Sequence, residues 1–173
     1  MELVTPSLII RTFTTADIEA YTRVGTDPAV MRYLGGPRSA ADTRAYVADC
    51  IVRDRETGIS RYAVERRSDA AFLGYCGFKA LTGDTSGNVA PGTAWVDFGW
   101  QYRPSAWGQG FGTEAAQAVY RYGVEVLRLE NIEIRTHEQN VASLRIIARL
   151  GFVWLNDYDS PAGRFRRFGQ PAR

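Results

Sequence analysis

A glycine cluster between a strand-like run and an amphipathic segment limits most strongly how this chain can fold. Residues 94–102 are rich in Trp, Val, Phe and Tyr and predict a β-strand, and residues 113–127 predict a helix. The sequence Trp-Gly-Gln-Gly-Phe-Gly at 107–112 joins them. Glycines let the backbone curl so that its amides and the positive end of the helix dipole face one point. The segment therefore predicts an anion site that suits a pyrophosphate.

Two nucleotide-binding interpretations conflict with the spacing of this glycine cluster. A P-loop requires Gly-Lys followed by Ser or Thr, and no lysine lies near the turn. A dinucleotide fingerprint requires Gly-x-Gly-x-x-Gly directly after a strand. The rhythm here is Gly-x-Gly-x-Gly, several residues beyond the strand. A tight turn without a ligand remains the structural alternative.

Length and charge restrict the class of protein. The 173 residues suit one hydrophobic core, so we expect a single domain over residues 1–173. The net charge is +2 without a block of Lys or Arg, so we expect no nucleic-acid partner. Arg164, Arg166 and Arg167 predict a solvated C-terminal strand or, alternatively, a phosphate or partner contact.

The cysteines and the apolar runs bear on the compartment. Cys50 and Cys76 lack the spacing of a metal site and predict core thiols in a reducing compartment. No apolar run approaches the roughly 18 residues that span a bilayer, and no basic stretch precedes an apolar one at the N-terminus. We therefore expect a cytoplasmic protein without membrane partners or bound metal.

Periodicity and turn residues predict a mixture of strands and helices. Strands are predicted at 8–11, 61–66, 71–81, 94–102, 131–137 and 152–155. Helices are predicted at 14–24, 27–35, 39–57, 113–127 and 141–150. The polar turn between 61–66 and 71–81 favours an antiparallel hairpin. Residues 82–92 are rich in Gly, Asp, Ser and Pro and predict an exposed, mobile loop.

Several short motifs occur together in the order and spacing of one family. They are Leu8, Arg11 and Phe13 in the opening strand, Asp27-Pro28-x-Val30-Met31, Gly74-x-x-Gly77, Gly110-Phe111-Gly112, Asn140-x-x-Ser143 and Leu150-Gly151-Phe152. On these residues nearly the whole chain resembles the GNAT acetyltransferase superfamily, whose cofactor turn follows Gln/Arg-x-x-Gly-x-Gly/Ala. Trp107 departs from that pattern. The run 107–115, however, is similar to the ribosomal-protein N-terminal (alanine) acetyltransferase branch.

The resemblance implies a fold and an activity. The fold is α/β (α+β), with a mixed, mostly antiparallel sheet flanked by helices and splayed at its centre for the pantetheine arm of acetyl-CoA. The activity is acetyl transfer to a primary amine, with a peptide N-terminus as acceptor, in a monomer or homodimer. A small amine (polyamine, amino acid or antibiotic) and a non-catalytic acyl-CoA-binding module remain alternatives. The implied cofactor-binding residues are Trp100, Gln101, Tyr102, Arg103, Trp107, Gly108, Gln109, Gly110, Phe111, Gly112, Thr113 and Asn140.

Acetyl transfer to an amine requires a base for the nitrogen and a proton donor for the leaving thiolate. Asp97 stands where the branch carries Glu and is the predicted base, acting through water; a solvent-facing strand carboxylate is the alternative. Ile147 replaces the tyrosine that many members use as the acid. Ser143 is therefore the predicted proton donor or a cofactor contact, with an ordinary helix-surface serine as the alternative. Asn140 also suits a helix N-cap.

The remaining conspicuous side chains are assigned mainly to structure. His137, the single histidine, is predicted to end a strand near the acceptor site. Trp95, Trp100, Trp107 and Trp154 are predicted to lie in the core, and Trp100 has the further option of shaping the acceptor pocket.

Overall fold

The computed structural model describes residues 1–81 and 95–171, so the predicted loop at 82–92 lies outside the described residues. The strands are β1 (Glu2–Val4), β2 (Leu8–Arg11), β3 (Arg61–Arg66), β4 (Ala71–Leu81), β5 (Trp95–Tyr102), β6 (Ile132–His137), β7 (Val153–Ser160) and β8 (Gly163–Gly169). The helices are α1 (Ile18–Gly25), α2 (Pro28–Met31), α3 (Ala40–Thr57), α4 (Phe111–Glu125) and α5 (Val141–Arg149). β1 was not predicted from the sequence, and β7 continues beyond the predicted strand end at residue 155.

The described strands form one mixed sheet, which confirms the predicted architecture. Their order is β1-β2-β3-β4-β5-β6-β8-β7. All neighbours are antiparallel except β5 and β6, which run parallel. A parallel pair needs a crossover connection, and α4 supplies it. The predicted hairpin of β3 and β4 is confirmed.

The sheet opens between its two parallel strands. β5 and β6 pair only at Val96 with Ile132 and at Asp97 with Glu133. Beyond these positions β5 continues to Tyr102 and β6 to His137, with no further register between them. The predicted central splay is therefore confirmed, and Asp97 occupies the last paired position before the gap.

Two apolar clusters cover the two faces of the sheet. On the face covered by α4, which we call the α4 face, Phe78 and Phe98 pack with Val119. On the opposite face, called the α3 face, Tyr21 and Tyr75 pack with Val47 of α3. Burial of apolar area of this kind contributes most of the driving force for folding. Cys50 and Cys76 are both buried free thiols, as predicted.

Local signals explain where the long helix α3 begins and ends. The Ser39 hydroxyl accepts a hydrogen bond from the Asp42 amide at 3.1 Å, which caps the first turn. Gly58 ends the helix in the left-handed conformation, at φ 70°, which glycine adopts without a steric penalty. Both boundaries were predicted from the sequence.

Three expectations about burial are wrong. Trp107 and Trp154 are 50% and 57% exposed instead of lying in the core. Arg167 is buried instead of solvated, because it pairs with the fully buried carboxylate of Glu133.

Of the helices among residues 1–81 and 95–171, none combines the length and apolar character that crossing a membrane requires.

Candidate active site

A cavity of about 880 Å³ lies at the gap between β5 and β6. Its wall includes residues of β5 and the glycine turn, the first two turns of α5, residues after α2, and the end of β6. The predicted base, Asp97, and the predicted proton donor, Ser143, both lie on this wall. Elements that are distant in the sequence therefore meet in one cleft.

The glycine turn presents backbone amides to this cavity. Gly108 and Gly110 have φ values of 73° and 87°, a conformation that favours glycine. The amides of Thr113 and Glu114 both donate to the Gly110 carbonyl, at 3.0 and 3.1 Å. Within the described residues the amides of 108–112 have no acceptor, so they can receive an anion at the N-terminus of α4. Gly112 instead permits close packing, since a Cβ there would lie 3.1 Å from Ile146 Cδ1.

Two arginines that the sequence analysis missed lie beside this turn. Arg145 and Arg149 are four residues apart on α5, and both line the cavity. Arg149 Nη1 donates to Thr113 Oγ1 at 3.1 Å, which ties α5 to the start of α4. The i, i+4 spacing was a usable sequence signal, because it puts both guanidiniums on one helix face. Backbone donors and guanidiniums together fit the phosphates of a nucleotide-containing ligand.

The predicted cofactor residues divide into two groups by position. Those on the cavity wall are Trp100, Gln101, Tyr102, Trp107, Gly108, Gly110, Gly112, Thr113 and Asn140. The other three are engaged elsewhere. The Arg103 amide donates to the Leu73 carbonyl at 2.9 Å. The Gln109 side chain donates to the Ser105 carbonyl at 2.6 Å, and Phe111 packs against the core of the α4 face.

The edge of β5 offers backbone groups to the gap. The Val96 amide donates toward β6, to the Asn131 carbonyl, at 3.2 Å. Since successive residues of a strand point their backbone groups to opposite sides, those of Trp100 and Tyr102 also face β6. The Tyr102 carbonyl accepts the Trp107 indole N–H at 2.8 Å, which anchors the glycine turn to the strand. Trp100 therefore presents a strand edge that an extended ligand can pair with.

The Asp97 carboxylate is held by a buried arginine. Arg61 Nη2 donates to Asp97 Oδ2, and its Nη1 donates to the Asp97 and Gly99 carbonyl oxygens at 3.2 and 3.4 Å. The Asp97 side chain is 24% exposed, so it is neither buried nor fully solvent-facing. Burial, the largest single influence, acts to lower the pKa of Arg61, but the charge and hydrogen bond of Asp97 together with Tyr75 and Tyr46 outweigh it, and the pKa is raised above its usual value. The guanidinium therefore stays charged and fixes the carboxylate.

Gly99 makes room for the Arg61 side chain on the α3 face. Gly77 and Gly99 are register partners on β4 and β5. A Cβ on Gly99 would lie 3.3 Å from Arg61 Nη1, and Arg61 Nη1 also donates to the Gly77 carbonyl. Arg61 was not predicted as a site residue, because it is 36 residues from Asp97 and no local motif links the two.

The start of α5 orders the second predicted catalytic residue. Asn140 Oδ1 accepts the Ser143 amide at 3.1 Å, which confirms the predicted N-cap. Ser143 is partly buried and lines the cavity. Ile147, at the position of the family's usual acid, is 1% exposed and packs in the core. Ser143 is thus the hydroxyl that α5 brings to the cavity.

His137 closes one end of the cavity with two aromatic rings. Its imidazole stacks on Tyr33 at 4.7 Å between centroids and meets the edge of Phe165 at 5.4 Å. Its Nδ1 accepts the Gln139 amide at 3.1 Å, and the Tyr33 hydroxyl donates to the Gln139 carbonyl at 3.3 Å. The predicted strand end is confirmed. These contacts link the residues after α2 to the end of β6.

Comparisons with known proteins match both the sequence and the fold. The family model described as Acetyltransferase (GNAT) domain matches residues 7–153. The uncharacterized N-acetyltransferase YnaD of Bacillus subtilis (strain 168) is 25% identical over 152 residues, covering 87% of this chain and 82% of its own. A GNAT-family acetyltransferase structure from Bacillus anthracis has a TM-score of 0.79 at 23% identity, covering 98% and 97% of the two chains. A structure from Salmonella typhimurium, described as the acetyl transferase that modifies the N-terminal serine of ribosomal protein L7/L12, has a TM-score of 0.77 at 15% identity, covering 99% and 98%.

Proposed function

Because this chain belongs to the GNAT acetyltransferase family, we propose that it transfers the acetyl group of acetyl-CoA to the α-amine of a peptide or protein N-terminus. The family and its named relatives are N-acetyltransferases, so the proposal concerns the acceptor and the roles of individual residues. The observation that carries it is one cavity with the glycine turn on one wall and Asp97 on another. The turn sequence at 107–115 and the fold shared with the Salmonella typhimurium enzyme support a peptide acceptor.

The described residues fit acetyl-CoA along this cavity. The free amides of 108–112 and the guanidiniums of Arg145 and Arg149 would hold its phosphates. The open strand edge at Trp100 would pair with the amide groups of its pantetheine arm. When bound, acetyl-CoA supplies an acetyl thioester, whose carbonyl carbon is the electrophile.

Two side chains handle the protons of the reaction. The amine nitrogen forms its bond to the acetyl carbon as the carbon–sulfur bond breaks. One amine proton passes to Asp97 through water and is then released to solvent. Ser143 donates a proton to the leaving sulfur and regains one from solvent, so both groups return to their starting state. The products are the N-acetyl amide and the free thiol of CoA. Arg61 keeps the Asp97 carboxylate in place and does not itself exchange a proton.

The ionisation of amines favours an N-terminus over lysine in such a site. An α-amine has a pKa of about 8 and a lysine side chain about 10.4, so at pH 7 a far larger fraction of the α-amine is neutral and nucleophilic. The Asp97 carboxylate already binds a guanidinium. It therefore suits an α-amine, which needs less assistance from a base than a lysine side chain does. The α-amine is therefore the acceptor that this cavity serves best.

An acceptor panel tests the proposal. The protein is incubated with acetyl-CoA and one of five acceptors: a lysine-free peptide with a free N-terminus, an N-blocked peptide with one internal lysine, spermidine, a free amino acid, or an aminoglycoside. CoA release is followed with a thiol reagent, and mass spectrometry locates the acetyl group. We expect the free N-terminus to give the highest kcat/KM. Faster acetylation of spermidine or the aminoglycoside would contradict it, and acetyl-CoA binding without turnover on any acceptor would indicate a non-catalytic module.

A further inference from the structure

The side chain of Gln101 lines the cavity on the same side as the proposed base. Phe98, Trp100 and Tyr102 of β5 point to the α4 face, where they belong to its apolar cluster. The alternation of the strand therefore directs Asp97 and Gln101 to the opposite side. The backbone of Gln101 faces β4, where Tyr75 is its register partner. Only the side chain of Gln101 is thus left to meet a ligand, and it points away from the glycine turn.

A chain of hydrogen bonds sets the orientation of the Gln101 amide. Arg38 Nη1 donates to the Tyr21 hydroxyl oxygen at 3.3 Å, and the Tyr21 hydroxyl donates to Gln101 Oε1 at 3.0 Å. A guanidinium only donates, so the hydroxyl hydrogen remains available for Gln101. A rotated amide would place its oxygen against the Met31 sulfur, which has no hydrogen to donate. The amide oxygen therefore faces Tyr21 and the amide nitrogen faces Met31.

The two hydrogens of this amide nitrogen are poorly satisfied within the protein. Among residues 1–81 and 95–171 the acceptor that Gln101 Nε2 reaches is Met31 Sδ, at 3.4 Å. A thioether sulfur is a weak acceptor. Gln101 is only 5% exposed, and a buried donor without a good acceptor costs free energy. Because the side chain lines the cavity, an oxygen atom of a bound molecule can supply the acceptor that the protein lacks.

The spacing along β5 relates this donor to the proposed base. Gln101 follows Asp97 by four residues, so their Cα atoms are about 13 Å apart at the usual rise of a strand. Gly99 lies between them without a side chain, and the Arg61 guanidinium occupies that space. An extended chain advances about 3.3–3.6 Å per residue. An acceptor whose amine reaches Asp97 through water therefore brings a carbonyl of its first or second residue within reach of Gln101.

We infer that Gln101 determines specificity by donating a hydrogen bond to a backbone carbonyl oxygen in the first two residues of the acceptor. This inference rests on the proposed function and names the group that distinguishes a peptide amine from a polyamine. A site built to hydrogen-bond a substrate group rejects an analogue without that group, because its buried donor then stays unsatisfied. Tyr21 and Arg38 are positioning residues, since neither lies on the cavity wall.

Three peptides that differ in one bond test this inference. The parent is a lysine-free tetrapeptide amide with an N-terminal alanine. In two analogues an E-alkene replaces the first or the second peptide bond, which removes the carbonyl oxygen and keeps the extended shape. Each kcat/KM is divided by the neutral fraction of that amine, known from its own titration. We expect at least one analogue to be about tenfold poorer than the parent, mainly through KM, as the loss of one hydrogen bond predicts.

Substitutions assign this difference to the Gln101 amide. Gln101→Met keeps the length of the side chain without its donors and should bring the parent and the affected analogue within about twofold. Gln101→Glu keeps an acceptor for the Tyr21 hydroxyl but also lacks the donors, so it should not restore the difference. Gln117→Met is the matched control: it removes the same amide from an exposed position on α4 outside the cavity wall and should keep the wild-type ratio.

The possible outcomes separate this inference from the proposed function. Equal kcat/KM for the three peptides in the wild-type protein would overturn the inference and leave the N-terminal acetyltransferase proposal standing. A wild-type ratio in Gln101→Met, or its full restoration in Gln101→Glu, would also overturn it. Calorimetry should give Gln101→Met an acetyl-CoA affinity within about threefold of wild type, and a large loss would assign Gln101 to the cofactor instead. Absence of turnover on every peptide would overturn both proposals.

Discussion

The guanidinium of Arg61 binds the carboxylate of Asp97 at the last paired position before the sheet opens. The same guanidinium donates to carbonyl oxygens on β4 and β5, so it fixes the carboxylate to the two strands that form one side of the cleft. The proposed base therefore depends on a residue that is itself buried.

Replacing Arg61 separates the structural from the catalytic consequence of this pair. Arg61→Met leaves Asp97 without its partner and several carbonyl oxygens without a donor, so we expect a loss of about 2–4 kcal/mol in the free energy of unfolding and a large fall in kcat. Arg61→Lys keeps the charge but lacks the planar set of donors, and should recover part of both. Urea unfolding and kcat at pH 7 give the two values. Wild-type kcat in folded Arg61→Met would contradict the positioning role.

A pair of matched glycine variants tests the anion site. Gly110 and Gly151 have φ values of 87° and 76°, and a Cβ at either position would meet nothing within 4 Å. A substitution at either position therefore introduces backbone strain but no steric clash. Only Gly110 lies on the cavity wall. We expect Gly110→Val to weaken acetyl-CoA binding by about 100-fold or more in calorimetry, because the backbone amides of the glycine turn no longer point to one site. The Gly151→Val variant should bind acetyl-CoA normally. An equal loss of affinity in both variants would contradict the assignment of the glycine turn as the anion site.

Local signals in the sequence predicted the helices and strands, but not the side-chain pairs that form across the sheet. Ser39, Gly58 and the glycine turn carry their conformation in their own residue types, so both ends of α3 and the start of α4 were predicted within about two residues. The pairs Arg61 with Asp97 and Arg167 with Glu133 join residues 36 and 34 positions apart. Their pairing follows from strand order, which no local pattern encodes.

The prediction for Trp107 and Trp154 failed for a related reason. Composition assigns large apolar rings to the core, but the Trp107 indole N–H is required by the Tyr102 carbonyl, and the Trp154 indole N–H donates to Asp157 Oδ1 at 2.8 Å. Both rings stay half exposed, with their N–H groups bound to these oxygen atoms. The hydrogen-bond partner of each indole N–H group is set by the fold and is not encoded in a local sequence pattern.

Ser143→Ala distinguishes a proton donor from a cofactor contact. If the hydroxyl protonates the leaving sulfur, kcat should fall by about 10²-fold while the Kd for acetyl-CoA changes less than about threefold. The α5 N-cap should persist, since Asn140 accepts the backbone amide of residue 143 and not its side chain. Stopped-flow binding and steady-state rates supply both numbers. Weaker binding with unchanged kcat would assign Ser143 to cofactor contact alone.

The buried thiols predict a loss of stability in alkali. Burial raises the pKa of Cys50 to about 11 and of Cys76 to about 12. Unfolded thiols ionise from about pH 8.5, so above that pH the unfolded state releases protons that the folded state keeps. The free energy of unfolding should therefore fall as pH rises from 8.5 toward 11. Urea unfolding at pH 8 and pH 10 measures this decrease in the free energy of unfolding. The decrease should be smaller in the Cys50→Ala variant, and its absence in the wild-type protein would contradict the prediction.

The role of Asp97 as base is tested most directly by initial rates of wild type and Asp97→Asn at pH 7 and pH 9, with one lysine-free peptide and saturating acetyl-CoA. We expect the variant to bind acetyl-CoA normally, to be about 10² to 10⁴ times slower than wild type at pH 7, and to lose less activity at pH 9, where more of the α-amine is already neutral. A rapid-quench experiment first establishes that chemistry limits the rate. An Asp97→Asn enzyme as active as wild type at pH 7 under that condition would contradict the assignment of Asp97 as the base.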